Sequence, residues 1–261
     1  MSQAASHLLH TLYNSALDAV FPPRCAGCQM WSKELFCPLC QPLLKPIQPP
    51  FCALCGHPFD PLAHSASVCA ECRDNRYHQA PAFKILRSVY EFEEPVREAV
   101  HRLKYGDKIA LAQPLARLLH NYLRQPPVQD APKLPPIPHD QLALLIPVPL
   151  HPWRHYRRGY NQSTLLARAL GQLMQVPVGE ILRRTRHTTP QVELSAKNRM
   201  ENVRGAFALD EAMVKKLTPG GGPMLLLDDV CTTGSTLREC AGVLKKFGFK
   251  EVYALTLARQ L

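Results

Sequence analysis

Residues 224–236, MLLLDDVCTTGST, decide how this chain folds. The apolar run predicts a buried strand over 224–227, and the polar remainder predicts a turn leading into a helix over 236–247. A strand of this kind delivers Asp228 and Asp229 to the carboxyl end of a sheet, where ligands of parallel α/β sheets bind. Gly234 permits a tight turn. Backbone N–H groups of the turn and the helix N-terminus suit a monophosphate, and the hydroxyls of Thr232, Thr233, Ser235 and Thr236 add donors. No Gly-Lys-Ser/Thr ending follows, which argues against a triphosphate P-loop. Two acids beside one phosphate suit a ribose 5-phosphate whose 2′ and 3′ hydroxyls donate to the carboxylates. Cys231 reads as small filler and Cys240 as a residue of a buried helix face.

Outward from this string, strands are expected over 83–92, 142–148 and 251–257, with helices over 94–104, 108–123 and 162–174. The alternation favours a doubly wound parallel sheet over 81–261. Residues 125–139 carry six prolines in fifteen positions and read as a surface excursion. The segment after the 142–148 strand reads as a basic loop in which Arg154, Arg157, Arg158 and Gly159 can meet a polyanion. Trp153, Tyr156 and Tyr160 stand among these arginines, where they could stack a base or pack the loop. The stretch 183–204, with Arg183, Arg184, Arg186, Lys197, Arg199 and Arg204, reads as a lid, a nucleic-acid track or a solvated basic surface.

Residues 25–72 hold four CxxC pairs: Cys25/Cys28, Cys37/Cys40, Cys52/Cys55 and Cys69/Cys72. Each pair presents two thiolates to one ion, and two pairs close a Cys₄ site. Two structural Zn²⁺ sites are expected, in sequential pairing, with an interleaved arrangement open. Gly56 is the residue expected where a knuckle turns back. A proline-rich segment this short needs metal to fold. His57 and His64 are expected at the surface. The ribbons span 22–80, and an amphipathic helix is expected over 1–21, with Leu8, Leu9, Leu12, Tyr13, Ala16, Leu17 and Val20 on one face.

The chain has 261 residues and a formal net charge of +10. Two tetrathiolate zinc sites, each carrying −2, bring that to about +6, still suited to phosphate-bearing partners. No apolar run approaches the length of a membrane span. A signal-peptide pattern is absent, and ten cysteines in that setting favour metal over disulfides. The cytoplasm is expected.

The 224–236 string closely resembles the phosphoribosyl-pyrophosphate (PRPP) signature of type I phosphoribosyltransferases. The segments LKYG (103–106), PVPLHPWRHYRRGYNQ (147–162), TPQ (189–191) and NVRGAF (202–207), together with the cysteine pairs, resemble the ComF (ComFC) family of competence and DNA-utilisation proteins. The resemblance runs from about residue 22 to the C-terminus. It implies a phosphoribosyltransferase-like sheet with a small hood behind a double zinc ribbon. Asp228 and Asp229 are then the catalytic acids on the ribose, 232–236 the 5-phosphate loop, and Arg154, Arg157, Arg158 and Gly159 the pyrophosphate loop. Lys104, Tyr105, Lys197 and Arg199 become lid or DNA contacts. Mg²⁺ enters with PRPP, single-stranded DNA is a partner, and a DNA-translocation helicase and competence channel proteins are further ones, at the inner face of the cytoplasmic membrane. No motif reads a particular acceptor base. A non-enzymatic DNA-binding module and a nucleobase-salvage phosphoribosyltransferase are the alternative functions.

Overall fold

The computed structural model describes residues 22–59, 68–73, 82–105, 108–125, 136–186, 203–214 and 221–261. The strands are β1 (Leu86–Glu91), β2 (Leu144–Pro147), β3 (Leu182–Arg184), β4 (Phe207–Leu209), β5 (Met224–Cys231) and β6 (Val252–Arg259). The helices are α1 (Ala70–Arg73), α2 (Val96–Tyr105), α3 (Ala112–Arg124), α4 (Pro152–Arg158), α5 (Gln162–Met174), α6 (Glu211–Val214) and α7 (Ser235–Lys246). The expected helix over 1–21, most of the proline-rich excursion, His64, Lys197 and Arg199 lie outside the described residues.

A parallel sheet in the order β1-β6-β5-β2 forms the core, and β3 and β4 make a separate antiparallel pair. Side chains alternate faces along a strand, and here both faces are covered. Leu145, Leu225, Leu227 and Leu255 join Leu115 and Leu119 of α3 and Leu166 and Leu170 of α5 in one buried cluster. Leu144, Ile146, Leu226 and Ala254 join Leu237, Cys240 and Leu244 of α7 in the other. Burial on both sides is why the central strands read as unbroken apolar runs. The expected mixed α/β architecture with a parallel sheet and two cysteine clusters is what the chain forms.

Two local expectations need correction. The strand over 224–227 continues to Cys231, because β6 runs beside it and pairs Val230 with Ala258 and Cys231 with Arg259. Residues 152–158 form a helical turn rather than a loop. Pro152 starts it, His151 Nδ1 accepts from the Trp153 N–H at 3.2 Å, and Gly159 closes it at φ 75°. Within the basic stretch, Arg183 and Arg184 belong to β3, with Arg184 over the Phe207 ring.

The cysteine segment is woven into this sheet. The Ile47 N–H donates to Val89 O and the Glu91 N–H to Lys45 O, both at 2.9 Å, so 45–47 runs antiparallel beside β1. The Leu86 N–H donates to Leu54 O at 2.8 Å. Arg102 of α2 donates to Cys25 O at 3.2 Å and Gly27 O at 3.1 Å. At the opposite side of the sheet the Leu145 N–H donates to Pro177 O, and the Gly179 N–H to Leu145 O. Gly56 sits at φ 67°, and a Cβ there would lie 2.7 Å from Leu86 O. Gly56→Ala is therefore expected to cost about 3 kcal/mol, from the left-handed backbone and a clash with main chain. A urea midpoint unchanged from wild type would refute this.

Candidate functional site

The two tetrads are sequential: Cys25, Cys28, Cys37 and Cys40 form one, and Cys52, Cys55, Cys69 and Cys72 the other. Within each, the four sulfurs lie within 4.8 Å of one another. Tetrahedral zinc at a Zn–S distance of about 2.3 Å sets sulfurs about 3.8 Å apart. The 3.5 Å between Cys28 and Cys37 and the 3.7 Å between Cys55 and Cys69 match that spacing. Crowded thiols also polarise one another. Burial works to raise the Cys25 thiol, but N–H groups of Cys37, Cys28 and Gly27 bring it down to about 6. Burial and neighbouring sulfurs push Cys40 up to about 12. The donor set and spacing fit closed, structural zinc.

The second tetrad is ringed by arginines of the α/β portion. Arg87 and Arg259 are 4% and 3% exposed. Arg87 Nη1 donates to Leu86 O, and its guanidinium lies over the Phe51 ring; Arg259 Nη2 donates to Cys55 O. Arg238 of α7 donates from Nη2 to Cys72 Sγ at 3.6 Å. Buried cations require countercharge, and a zinc tetrathiolate carries −2.

The acid pair and the hydroxyl turn lie together where β5 meets α7. Asp229 is buried, and its Oδ2 is 2.7 Å from Lys104 Nζ of α2. Asp228 is half-buried; its Oδ1 accepts from Ser163 Oγ at 2.7 Å and from the Asp229 N–H at 3.0 Å. Burial, then the Asp229 charge, raises the Asp228 carboxyl from 3.8 to about 7, against the pull of Ser163 and Lys104. A carboxyl raised on folding favours the folded state in its protonated form, so its contribution fades as pH climbs from about 4 through 7. Asp228→Asn is expected to flatten that loss, read as the wild-type-minus-variant difference in urea stability at pH 5 and pH 8. An identical pH slope in the two proteins would sink the assignment.

Gly234 takes φ 75° at the start of α7, Thr233 Oγ1 and Ser235 Oγ are 2.6 Å apart, and the Ser235 N–H points to Thr233 Oγ1 at 3.4 Å. First-turn amides have no intrahelical acceptor, and the helix dipole favours an anion beside them. Cys231 is buried, which pushes its thiol up, in keeping with a filler role.

Tyr105 ties the basic turn to the acids. Arg158 stacks 4.4 Å from the Tyr105 ring centroid and donates to its hydroxyl at 2.6 Å. Tyr160 Oη donates to Leu103 O at 2.7 Å, and Asn161 Nδ2 donates to Val148 O at 2.9 Å. The end of α2 thus carries Lys104 onto Asp229 and Tyr105 onto Arg158. Arg154 is half-buried, while Arg157 is exposed and stacks on Trp153 at 4.9 Å. Trp153 and Tyr156 are 50% and 86% exposed, too open for ordinary core packing.

Sequence reasoning missed Ser163, Arg238 and Arg259. Ser163 sits just past the quoted basic segment and is turned in by the Asn161 cap, whose Oδ1 accepts from the Ser163 N–H. The two arginines carry no local signal, since their partners are 166 and 204 residues away in sequence. Among the described residues no helix is long and apolar enough to cross a membrane.

Comparison with known proteins bears on the same features. The double zinc ribbon domain family matches residues 16–74. Competence protein F of Haemophilus influenzae is 34% identical over 236 residues, covering 90% of this chain and 95% of that protein. DNA utilization protein YhgH of Escherichia coli is 33% identical over 211 residues, covering 80% and 84% respectively. Competence protein ComFC of Bacillus subtilis is 29% identical over 235 residues, covering 87% and 85%. With the cysteine tetrads, the acid pair and the hydroxyl turn all carried on a chain matched nearly end to end, this protein belongs to the ComF family of competence and DNA-utilisation proteins.

Proposed function

We propose that the chain acts in the uptake or use of DNA and binds PRPP, as its magnesium complex, where β5 meets α7. The DNA role rests on the relatives named for competence and DNA utilisation. The ligand rests on one observation above the others: the Asp228–Asp229 pair runs directly into the Thr232–Thr236 turn that opens α7. In this reading the turn holds the 5-phosphate, Asp228 and Asp229 accept the ribose hydroxyls, and Arg154, Arg157 and Arg158 with Gly159 face the diphosphate. Lys104 gives up Asp229 to the ligand and keeps a cation beside the acids. Magnesium carried in with PRPP would supply positive charge at the diphosphate beside these arginines. In transfer, the bond from C1 to the diphosphate oxygen breaks with its electron pair on oxygen, and an acceptor nucleophile supplies the pair that forms the new bond at C1. The acid pair then steadies the positive charge on the ribose ring, and the arginines hold the leaving group.

Calorimetric titration of zinc-loaded protein with PRPP and Mg²⁺ tests the reading. Saturable binding is expected, lost in a folded Asp228→Asn/Asp229→Asn variant. A folded wild type that takes up no heat overturns it.

A second reading, a single-strand-binding module, is favoured by the exposed Trp153 and Tyr156 beside Arg157 and Arg158. Stacking on such rings tolerates any base, and phosphate contacts make affinity fall with salt. Reversing Arg157 and Arg158 to Glu is expected to weaken oligonucleotide binding about tenfold or more and to flatten its salt slope, whereas Asp229→Asn leaves it intact. Equal affinity for the charge-reversed protein would dismiss this surface.

A further inference from the structure

The second cysteine tetrad touches the base of the phosphate turn by two separate routes. The first runs through the knuckle of Cys52 and Cys55. Leu54 O accepts from the Leu86 N–H at 2.8 Å, and Gly56 leaves no room for a Cβ against Leu86 O. The Leu86 side chain in turn reaches the turn itself, with its Cδ2 3.3 Å from where a Cβ of Gly234 would stand. The second runs through the other knuckle. Arg238 Nη2 donates to Cys72 Sγ at 3.6 Å, its guanidinium lies 5.4 Å from the Phe83 ring centroid, and its N–H donates to Gly234 O at 2.9 Å. Gly234 is therefore gripped from the Leu54 side by packing and from the Cys72 side by a hydrogen bond that closes the first turn of α7. Among the described residues, the first tetrad is tied instead to α2, where Arg102 donates to Cys25 O and Gly27 O.

We propose that the second Cys₄ site is a metal-dependent buttress of the phosphate turn, with Arg238 as the positioning residue that joins the two. The name phosphate turn rests on the functional reading above; the mechanical coupling does not. A Cys72 thiolate fixed by zinc gives the guanidinium a stationary, negatively charged acceptor. Without the metal that sulfur is free to rotate or protonate, and the hold on the first turn of α7 loosens. Coupling between two sites is reciprocal in free energy, so whatever fixes the turn also tightens the hold on this one metal ion, and faster zinc release is the expected sign of a weakened hold.

The test uses the full-length, zinc-loaded protein and Arg238→Met, which keeps an unbranched side chain in the place of the arginine stem and removes the guanidinium that donates to Cys72. Arg102→Met, at the first tetrad, is the control. Two readouts need no ligand: zinc release to a pyridylazo chromophore, and amide hydrogen exchange of the peptide covering 231–238. Arg238→Met is expected to release one of its two zinc ions about tenfold faster and to exchange 231–238 about tenfold faster, with the 162–174 helix unchanged. Arg102→Met is expected to speed the other zinc ion and leave 231–238 alone. A change in one readout without the other, a change spread over the whole chain, or no change overturns the coupling. Should Arg238→Met fail to fold, Arg238→Lys, which keeps the charge on a shorter reach, is expected to move both readouts together by less. Calorimetry with Mg²⁺ and PRPP on the same proteins addresses the functional reading separately. A wild type that ignores PRPP refutes that reading, while zinc release and exchange still decide the coupling.

Discussion

Asp229→Asn is expected to weaken Mg²⁺–PRPP binding about a hundredfold or more, because each hydrogen bond to a buried charge contributes about 1.5–3 kcal/mol and two hydroxyls converge here. The substitution also takes from Lys104 its ion-pair partner, since its side chain is 20% exposed and faces Asp229 at 2.7 Å, and leaves Asp228 as the acid beside it. Removing one partner of a buried pair leaves the other charged in poor solvent, so stability is expected to fall by about 3 kcal/mol. These two losses have different causes and can be pulled apart. Lys104→Met/Asp229→Asn deletes both charges while keeping the volume, and is expected to regain most of the stability but none of the affinity. Urea melts and titration calorimetry on the wild type and the two variants check this. A double variant that binds PRPP as wild type does would remove Asp229 from the ligand site, and one that stays as unstable as Asp229→Asn would remove Lys104 as its partner.

Stripping both zinc ions is expected to unfold most of the chain rather than release a loose N-terminal tail. Apparent binding free energies of structural zinc are about 10–16 kcal/mol, comparable to the entire stability of an ordinary domain. The geometry explains why the loss spreads. β1 donates to Lys45 O and Leu54 O and accepts from the Ile47 N–H of the cysteine segment, and the buried Arg87 and Arg259 lie beside the second tetrad. Once the tetrathiolate charge is gone, two guanidinium groups stay buried with little to offset them. A single melting transition is expected before chelation, and loss of far-ultraviolet helical signal after it. Survival of the α/β portion with its transition unmoved would show that the two parts stand independently.

Much of this was legible in the sequence because local chemistry matched the final environment. The 162–174 helix was readable to the residue, since its apolar spacing is regular and Asn161 supplies a cap. The tetrads were legible because thiol pairs at CxxC spacing have one economical use; the sequential pairing was the expected one, and the fold closes the interleaved alternative. The basic and aromatic residues of 152–158 suit a phosphate-binding loop, but Pro152, the His151 cap and Gly159 are helix start and stop signals, and they decide the local structure. β5 was cut short at Leu227 because two carboxylates look like a strand end. Its partner β6 keeps the ladder going to Cys231, a long-range fact. The meeting of Lys104 with Asp229 had no local sign, because 125 residues separate them and only the packing of α2 against the sheet brings them together.

The hydrogen bonds at residues 45–47 and 177–179 have a further meaning. β1 and β2 are the outer strands of the parallel sheet, and each carries a row of main-chain donors and acceptors that another polypeptide could copy. Short irregular runs occupy both rows: Lys45 and Ile47 on one flank, Pro177 and Gly179 on the other. The sheet is thereby closed to growth, and the guard on the β1 flank is held in place by cysteine chemistry. A chain that loses its metal uncovers the main-chain donors and acceptors of the six-residue β1 edge, so zinc starvation should appear as aggregation alongside the loosening of the site.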